Sequence, residues 1–265
     1  IYSYGYIEKA QNNLAYKQYQ KAGSHVEYKF KKGSNTIFNP LRRIAGRYLE
    51  IFFEHEIQIK YAGIRPVFYK NNVIPQDFND ELLNRIYNTC VHTLRLCMHE
   101  HYEDCPWREQ ALYALDSRNQ MLCGYYAFEG YEYQRHNLVL LSKGLMDDLG
   151  LLSLTTPCGI NNFGIPFFSL IYIKQVEEYI KYSGDETILA EVAPCMERIM
   201  NTFVTRIDEN HLIPYFEKPF WNFYEWTDES DNGSDITSDL PRENKYELII
   251  NCAFVYIAEI YNKLL

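Results

Sequence analysis

After a short linker at Lys70-Asn71-Asn72-Val73-Ile74-Pro75, one pattern dominates the chain to its last residue: apolar side chains at helical spacing, segment after segment. Asp77 and Asp80 supply an N-terminal helix signature, and Leu82, Leu83, Ile86, Cys90, Leu94 and Cys97 follow at helical intervals. A second helix is expected to start at Cys105-Pro106, where proline is tolerated in the first turn, and a third to cover 131–147. The fourth runs from Ile165-Pro166 to Ser183-Gly184, with glycine as its C-terminal cap. The fifth runs from Asp185-Glu186 to about Ile207 with Pro194 as a kink, and the sixth follows Pro241-Arg242-Glu243. About six helices of roughly 15–25 residues joined mostly by short loops make antiparallel hairpins, as in bundles and closed helical toroids. The fold class is mainly α.

The first 70 residues read differently. Alternation at Val26–Phe30, Tyr48–Phe53 and Ile57–Ile64, with Ile37-Phe38 and Arg65–Tyr69, predicts half-buried antiparallel strands. Residues 1–22 fit either strand or helix. The expected domains are therefore a β-rich segment at 1–70 and a helical domain at 71–265. The chain starts at Ile1 and its final helical pattern has no stop signal, which predicts an excerpt of a longer protein.

Lys and Arg number 26 against 35 Asp and Glu, a net charge of −9, which argues against a nucleic-acid partner. With 47% hydrophobic residues a core is assured, and no apolar run approaches the ~20 residues that span a bilayer. Seven cysteines without C-x-x-C spacing suggest mostly buried free thiols in a reducing, cytoplasmic setting. His92, His99 and His101 match no metal-ligand spacing, and neither a metal nor another cofactor is implied. Nucleotide-binding loops and a serine-nucleophile elbow are absent from the sequence.

The chemistry-bearing residues concentrate at Asp104-Cys105-Pro106-Trp107-Arg108-Glu109, followed by Tyr113 and Asp116. If these were helical, Glu109, Tyr113 and Asp116 would share one face at i, i+4 and i+7. The run resembles the active-site signature of bacterial α-L-rhamnosidases, glycoside hydrolase family 78, which carry D-C-P-x-R-E and then Trp and Asp. Thr93–Met98 and Gly46–Glu50 also resemble the stretches that flank that signature.

The resemblance implies a six-hairpin (α/α) toroid, here partial, preceded by a β-sandwich-derived segment. It implies a carbohydrate substrate, an inverting hydrolysis releasing terminal rhamnose, Glu109 as general acid, and Asp104, Arg108 and Asp116 holding sugar hydroxyls or the acid. Two departures bear on specificity: Tyr113 stands where the family has Trp, and Gln110-Ala111-Leu112 replaces a more charged, glycine-containing stretch. The family's general base lies in later hairpins, so this chain alone is expected to be inactive. An acid placed near a helix start needs an opposing push to stay protonated. Asp104, Asp116 and burial beside Trp107 and Tyr113 are the groups to supply it.

The loop from Ile213 to Pro241 is too long for a mere connection. Tyr215–Trp226 packs seven aromatics around Asn222 and Glu225, matching either a sugar-stacking wall of Trp221, Glu225 and Trp226 or a plug on the core. In the family a Trp-Asp pair lines the pocket from this loop, and Glu225-Trp226 stands in its place. The acidic Thr227–Asp235 stretch reads as a solvated turn rather than a calcium loop, and Phe167 and Phe168 as core, with a substrate contact as the alternative because the family places an aromatic pocket residue nearby. The rival readings are another (α/α)-toroid glycosidase with a different sugar, or a non-catalytic carbohydrate-binding protein.

Overall fold

The computed structural model describes residues 2–4, 33, 43–46, 48–50, 55–61, 63–158, 163–226 and 245–264. They fall into two compact groups. One contains the described residues up to Phe68 together with Cys105–Gln110, and the other Tyr69–Asp104 with Ala111 onward.

In the first group β1 (Tyr2–Tyr4) pairs antiparallel with β2 (Tyr48–Glu50). The strands expected at Ile57–Ile64 and Arg65–Tyr69 do not form in the described residues. Alternation is only half of a strand, because the backbone also needs a hydrogen-bonding neighbour along its length. Ile57, Ile59, Ile64 and Val67 are instead exposed. The strands expected at Val26–Phe30 and Ile37-Phe38 lie outside the described residues.

The second group contains six helices among the described residues: α1 (Glu81–Leu96), α2 (Ala114–Ala127), α3 (Glu132–Ser142), α4 (Pro166–Ser183), α5 (Leu189–Val204) and α6 (Leu248–Leu264). Asp80 caps α1 by accepting from the Leu83 N–H at 3.0 Å, while Asp77 braces the approach by accepting from Asn84 Nδ2 at 3.1 Å. α4 begins at Pro166 and stops at Gly184, whose φ of 72° is the left-handed cap that glycine adopts without strain. One turn of 3₁₀ helix (Glu186–Ile188), capped by Asp185, leads into α5, which carries Pro194 in its interior.

Three expected spans shorten, one of them α5, which runs Leu189–Val204 rather than from Asp185 to about Ile207. α3 ends at Ser142 rather than 147, because Leu145 bridges Leu152 and the Met146 N–H reaches the Leu151 carbonyl at 2.9 Å, folding 145–152 back on itself. The helix expected from Cys105-Pro106 does not form, and α2 starts only at Ala114.

The packing is a two-layer arrangement. α4 touches both α2 and α6, giving one row of even-numbered helices, and α3 touches α5 in the other layer. Successive pairs α1–α2, α3–α4 and α5–α6 pack as hairpins. This is the (α/α) toroid pattern, three hairpins of it among the described residues. α4 is buried on several sides through Phe168, Leu170, Tyr172, Ile173, Val176 and Tyr179, as a helix flanked by neighbours in both layers must be. Along α1, by contrast, Val91 and Leu94 are buried while Leu82, Leu83 and Ile86 are exposed.

An ion pair fastens the row of even helices. Arg118 on α2 donates to both carboxylate oxygens of Glu178 on α4, at 2.9 and 2.6 Å, and Glu178 is largely buried. Glu178→Ala leaves the guanidinium facing an emptied site, so it should lower unfolding free energy by about 2 kcal/mol in denaturant titration. A loss under half of that would mean the clamp is only decorative.

Candidate active site

In a toroid of alternating layers the even helices run the same way, so the loops that lead into them gather at one end. Among the described residues of the helical group these are 97–104 with 111–113, 143–158 with 163–165, and 205–226 with 245–247, and they contain Asp104, Tyr113, Trp221, Glu225 and Trp226. Backbone bonds tie the first to the second, Thr156 N–H to Leu112 carbonyl at 3.2 Å, and the third to the second, Trp221 N–H to Gly164 carbonyl at 3.0 Å, while Leu154 N–H to Phe163 carbonyl at 2.9 Å closes the second on itself. Gly164 also forms a parallel bridge with Phe220. A Cβ on Gly164 would collide with the Leu152 carbonyl oxygen, so only glycine lets residues 152 and 164 of the second loop pack this closely.

The loop before α2 explains why its helix starts late. The Asp104 N–H donates to the Ala111 carbonyl and the Ala111 N–H to the Asp104 carboxylate, both at 3.0 Å. That double tie brackets Cys105–Gln110 as an excursion, and Gln110 closes it with a φ of 51°, a left-handed conformation incompatible with a continuing helix. Gln110 Nε2 donates to the Pro106 carbonyl at 2.8 Å within the excursion. Glu109 is therefore on a loop, and the expected helical face of Glu109, Tyr113 and Asp116 is overturned. So is the expectation that a helix dipole acts on Glu109. Part of the Asp104 side chain is committed to holding the loop.

Within Cys105–Gln110, the Glu109 carboxylate has a different partner on each oxygen. Arg108 Nε donates to Oε1 at 2.7 Å, with a second guanidinium nitrogen also on Oε1, and Cys105 Sγ donates to Oε2 at 3.1 Å. The Glu109 side chain is 26% exposed, so it is sheltered yet reachable, whereas Arg108 is 69% exposed. Burial and then Glu109 raise the Cys105 thiol pKa above its usual range. Cys105 was missed as a site residue; its signal in the sequence was only its place four residues before Glu109.

In the helical group, Tyr113 is the N-cap of α2 and Asp116 lies in its first turn, where a carboxylate complements the helix dipole; both are half-buried. The preceding Glu103 is fully buried with His99 Nδ1 at 3.0 Å from its carboxylate, and His101 Nδ1 lies 2.7 Å from the Tyr102 carbonyl oxygen.

The aromatic loop divides by burial. Phe216, Phe220, Phe223 and Tyr224 are buried, and Phe216 meets Phe203 of α5 edge-on at 5.1 Å, so this part is the plug. Trp221 is half-buried and Trp226 is 66% exposed, with ring centroids 5.7 Å apart and Phe223 packed on both. Asn222, weighed as a hydroxyl binder, is buried and grips the loop instead, accepting from the Phe216 N–H at 3.0 Å and donating to its carbonyl at 2.7 Å. Glu225 is exposed, and its carboxylate accepts from the Trp226 N–H at 2.7 Å. Phe168 is core and packs on Phe223, while Phe167 meets Tyr224 edge-on at 5.4 Å. The acidic stretch at Thr227–Asp235 lies outside the described residues.

None of the seven cysteines is disulfide-bonded. The expectation that most are buried does not hold: Cys97 and Cys195 are, but Cys90, Cys123, Cys158 and Cys252 are exposed. Among the described residues no helix is long and apolar enough to cross a membrane.

Paired helical layers whose connecting loops are tied to one another by backbone bonds define a helical-hairpin glycosidase domain. More narrowly, the chain belongs to the bacterial α-L-rhamnosidase six-hairpin glycosidase domain family, whose model matches residues 77–264. Its structure is similar to that of a GH78 family rhamnosidase of Bacillus sp. GL1, with a TM-score of 0.61 and 25% identity, over 75% of this chain and 19% of that one. It also shares the fold of a rhamnosidase from Klebsiella oxytoca with rhamnose bound, at TM-score 0.57 and 22% identity, over 72% of this chain and 35% of that one. The chain thus spans about a fifth and a third of the length of these two structures. No match was found among curated proteins.

Proposed function

We propose that the protein is a glycoside hydrolase that releases terminal α-L-rhamnose with inversion, and that Glu109 is its general acid. The observation that carries the proposal is the Glu109 carboxylate inside the matched region, held through both oxygens and a quarter exposed. Inverting hydrolysis needs such an acid to protonate the leaving oxygen, and a second carboxylate to activate water across the ring. The Arg108 ion pair stabilises the charged form of a carboxylate, so the acid works only when substrate or another carboxylate offsets it. In this reading Asp104, Arg108 and Asp116 hold sugar hydroxyls, Tyr113 forms a smaller wall than Trp would, and Trp221 and Trp226 present rings to the sugar's C–H face, with Glu225 beside them. The division of the chain at about residue 70 into a β-rich segment and a toroid domain belongs to the same proposal, as does a cytoplasmic location, which the absence of disulfides supports.

The base is assigned to residues outside this chain. The intact enzyme should therefore cleave aryl α-L-rhamnosides, giving the β-anomer first by NMR, while residues 1–265 alone should be inert. Turnover by the 265-residue chain, or initial formation of the α-anomer, would refute the reading. Cleavage of a different aryl glycoside in preference would favour the rival toroid glycosidase.

A further inference from the structure

The two oxygens of Glu109 are held by chemically unlike groups, and the difference has a consequence for proton transfer. Oε1 faces guanidinium N–H groups, which only donate; a proton placed on Oε1 would point at other hydrogens. The acidic proton therefore resides on Oε2, the oxygen that faces Cys105 at 3.1 Å. A thiol is a weak donor and a weak acceptor, so it can serve this oxygen in either protonation state. We propose that Cys105 is a positioning residue for Glu109, donating S–H to Oε2 when the carboxyl is ionised and accepting the O–H when it is protonated. This rests on the reading of Glu109 as general acid.

During catalysis the proton leaves Oε2 for the glycosidic oxygen as the C–O bond breaks, and the S–H proton stays on sulfur throughout. A weak partner suits that step because it orients the oxygen without strongly stabilising the carboxylate. A hydroxyl would hold the charge more firmly and lower the pKa of Glu109; an alanine would leave Oε2 unaligned. The charged and titratable groups of the segment are Arg108, which favours the ionised carboxylate, Cys105 itself, and Asp104, the residue before it, which as a second negative charge opposes ionisation.

Kinetics and thiol chemistry on the intact enzyme test this separately. Cys105→Ala should lower kcat about tenfold with little change in KM, because ground-state sugar binding does not use the thiol. Cys105→Ser should recover much of that kcat, with the alkaline limb of the pH–rate profile moved to lower pH. An acid is active below its pKa, so lowering the pKa narrows the active range from above. Independently of turnover, Glu109→Gln removes the negative charge beside the thiol and should make Cys105 react several-fold faster with iodoacetamide at pH 8, as read by peptide mass mapping. Equal alkylation in the two forms, or an unshifted pH profile and wild-type kcat in both Cys105 variants, would overturn the proposal. Full activity in Glu109→Gln would sink the acid assignment itself, whatever the alkylation rates.

Discussion

Glu109→Gln in the intact enzyme is expected to cut turnover of alkyl rhamnosides by about 10²- to 10⁴-fold, the range for removing a general acid. Glutamine keeps the volume and an acceptor for Arg108, so the excursion at Cys105–Gln110 should keep its shape, and KM should move far less than kcat. Substrates with nitrophenol leaving groups need little protonation and should lose much less rate. This contrast is what separates a lost proton from a disturbed pocket. Exposure supports the assignment: a side chain 26% exposed can meet a ligand, and one fully buried, like Glu103, cannot. A uniform loss across good and poor leaving groups would show that Glu109 acts in binding instead.

The second large effect is structural. Gly164→Ala places a methyl against the Leu152 carbonyl oxygen, with the Met146 methyl 3.2 Å away. Met146 can swing aside, but the backbone oxygen cannot, because the neighbouring turn is closed by its own hydrogen bonds. The Gly164–Phe220 bridge and the Trp221 N–H bond to Gly164 must then open, releasing the loop that carries Trp221 and Trp226. Overpacking of this kind costs about 1–3 kcal/mol, and the lost loop bonds add to it. Thermal unfolding should fall by several degrees, and indole fluorescence should shift red as Trp221 gains water. An unchanged melting temperature would mean that the loops tolerate separation.

Much of this was legible in the chain itself. The helices at 81–96, 166–183 and 189–204 follow from caps and periodicity that act within a few residues: Asp80, the Pro166 start and the Gly184 stop. The D-C-P-x-R-E run likewise pointed to the region where the family model matches. The loop at Cys105–Gln110 was misread because its helix-compatible residues are overruled by a tie between Asp104 and Ala111, seven positions apart, and by the backbone turn at Gln110. The strands expected at 57–69 failed for a related reason, since alternation says which side of a strand is apolar but not whether a neighbour exists to bond it.

Local chemistry, then, settled where helices begin and end and which short run carries acid–base groups, because caps and periodicity are complete within a turn or two. Contacts between distant segments decided the rest: α4 between α2 and α6, and the aromatics of 215–226 split into a buried plug, a half-buried Trp221 and an exposed Trp226. Burial and partnership depend on which surfaces meet, and no window of sequence contains both surfaces.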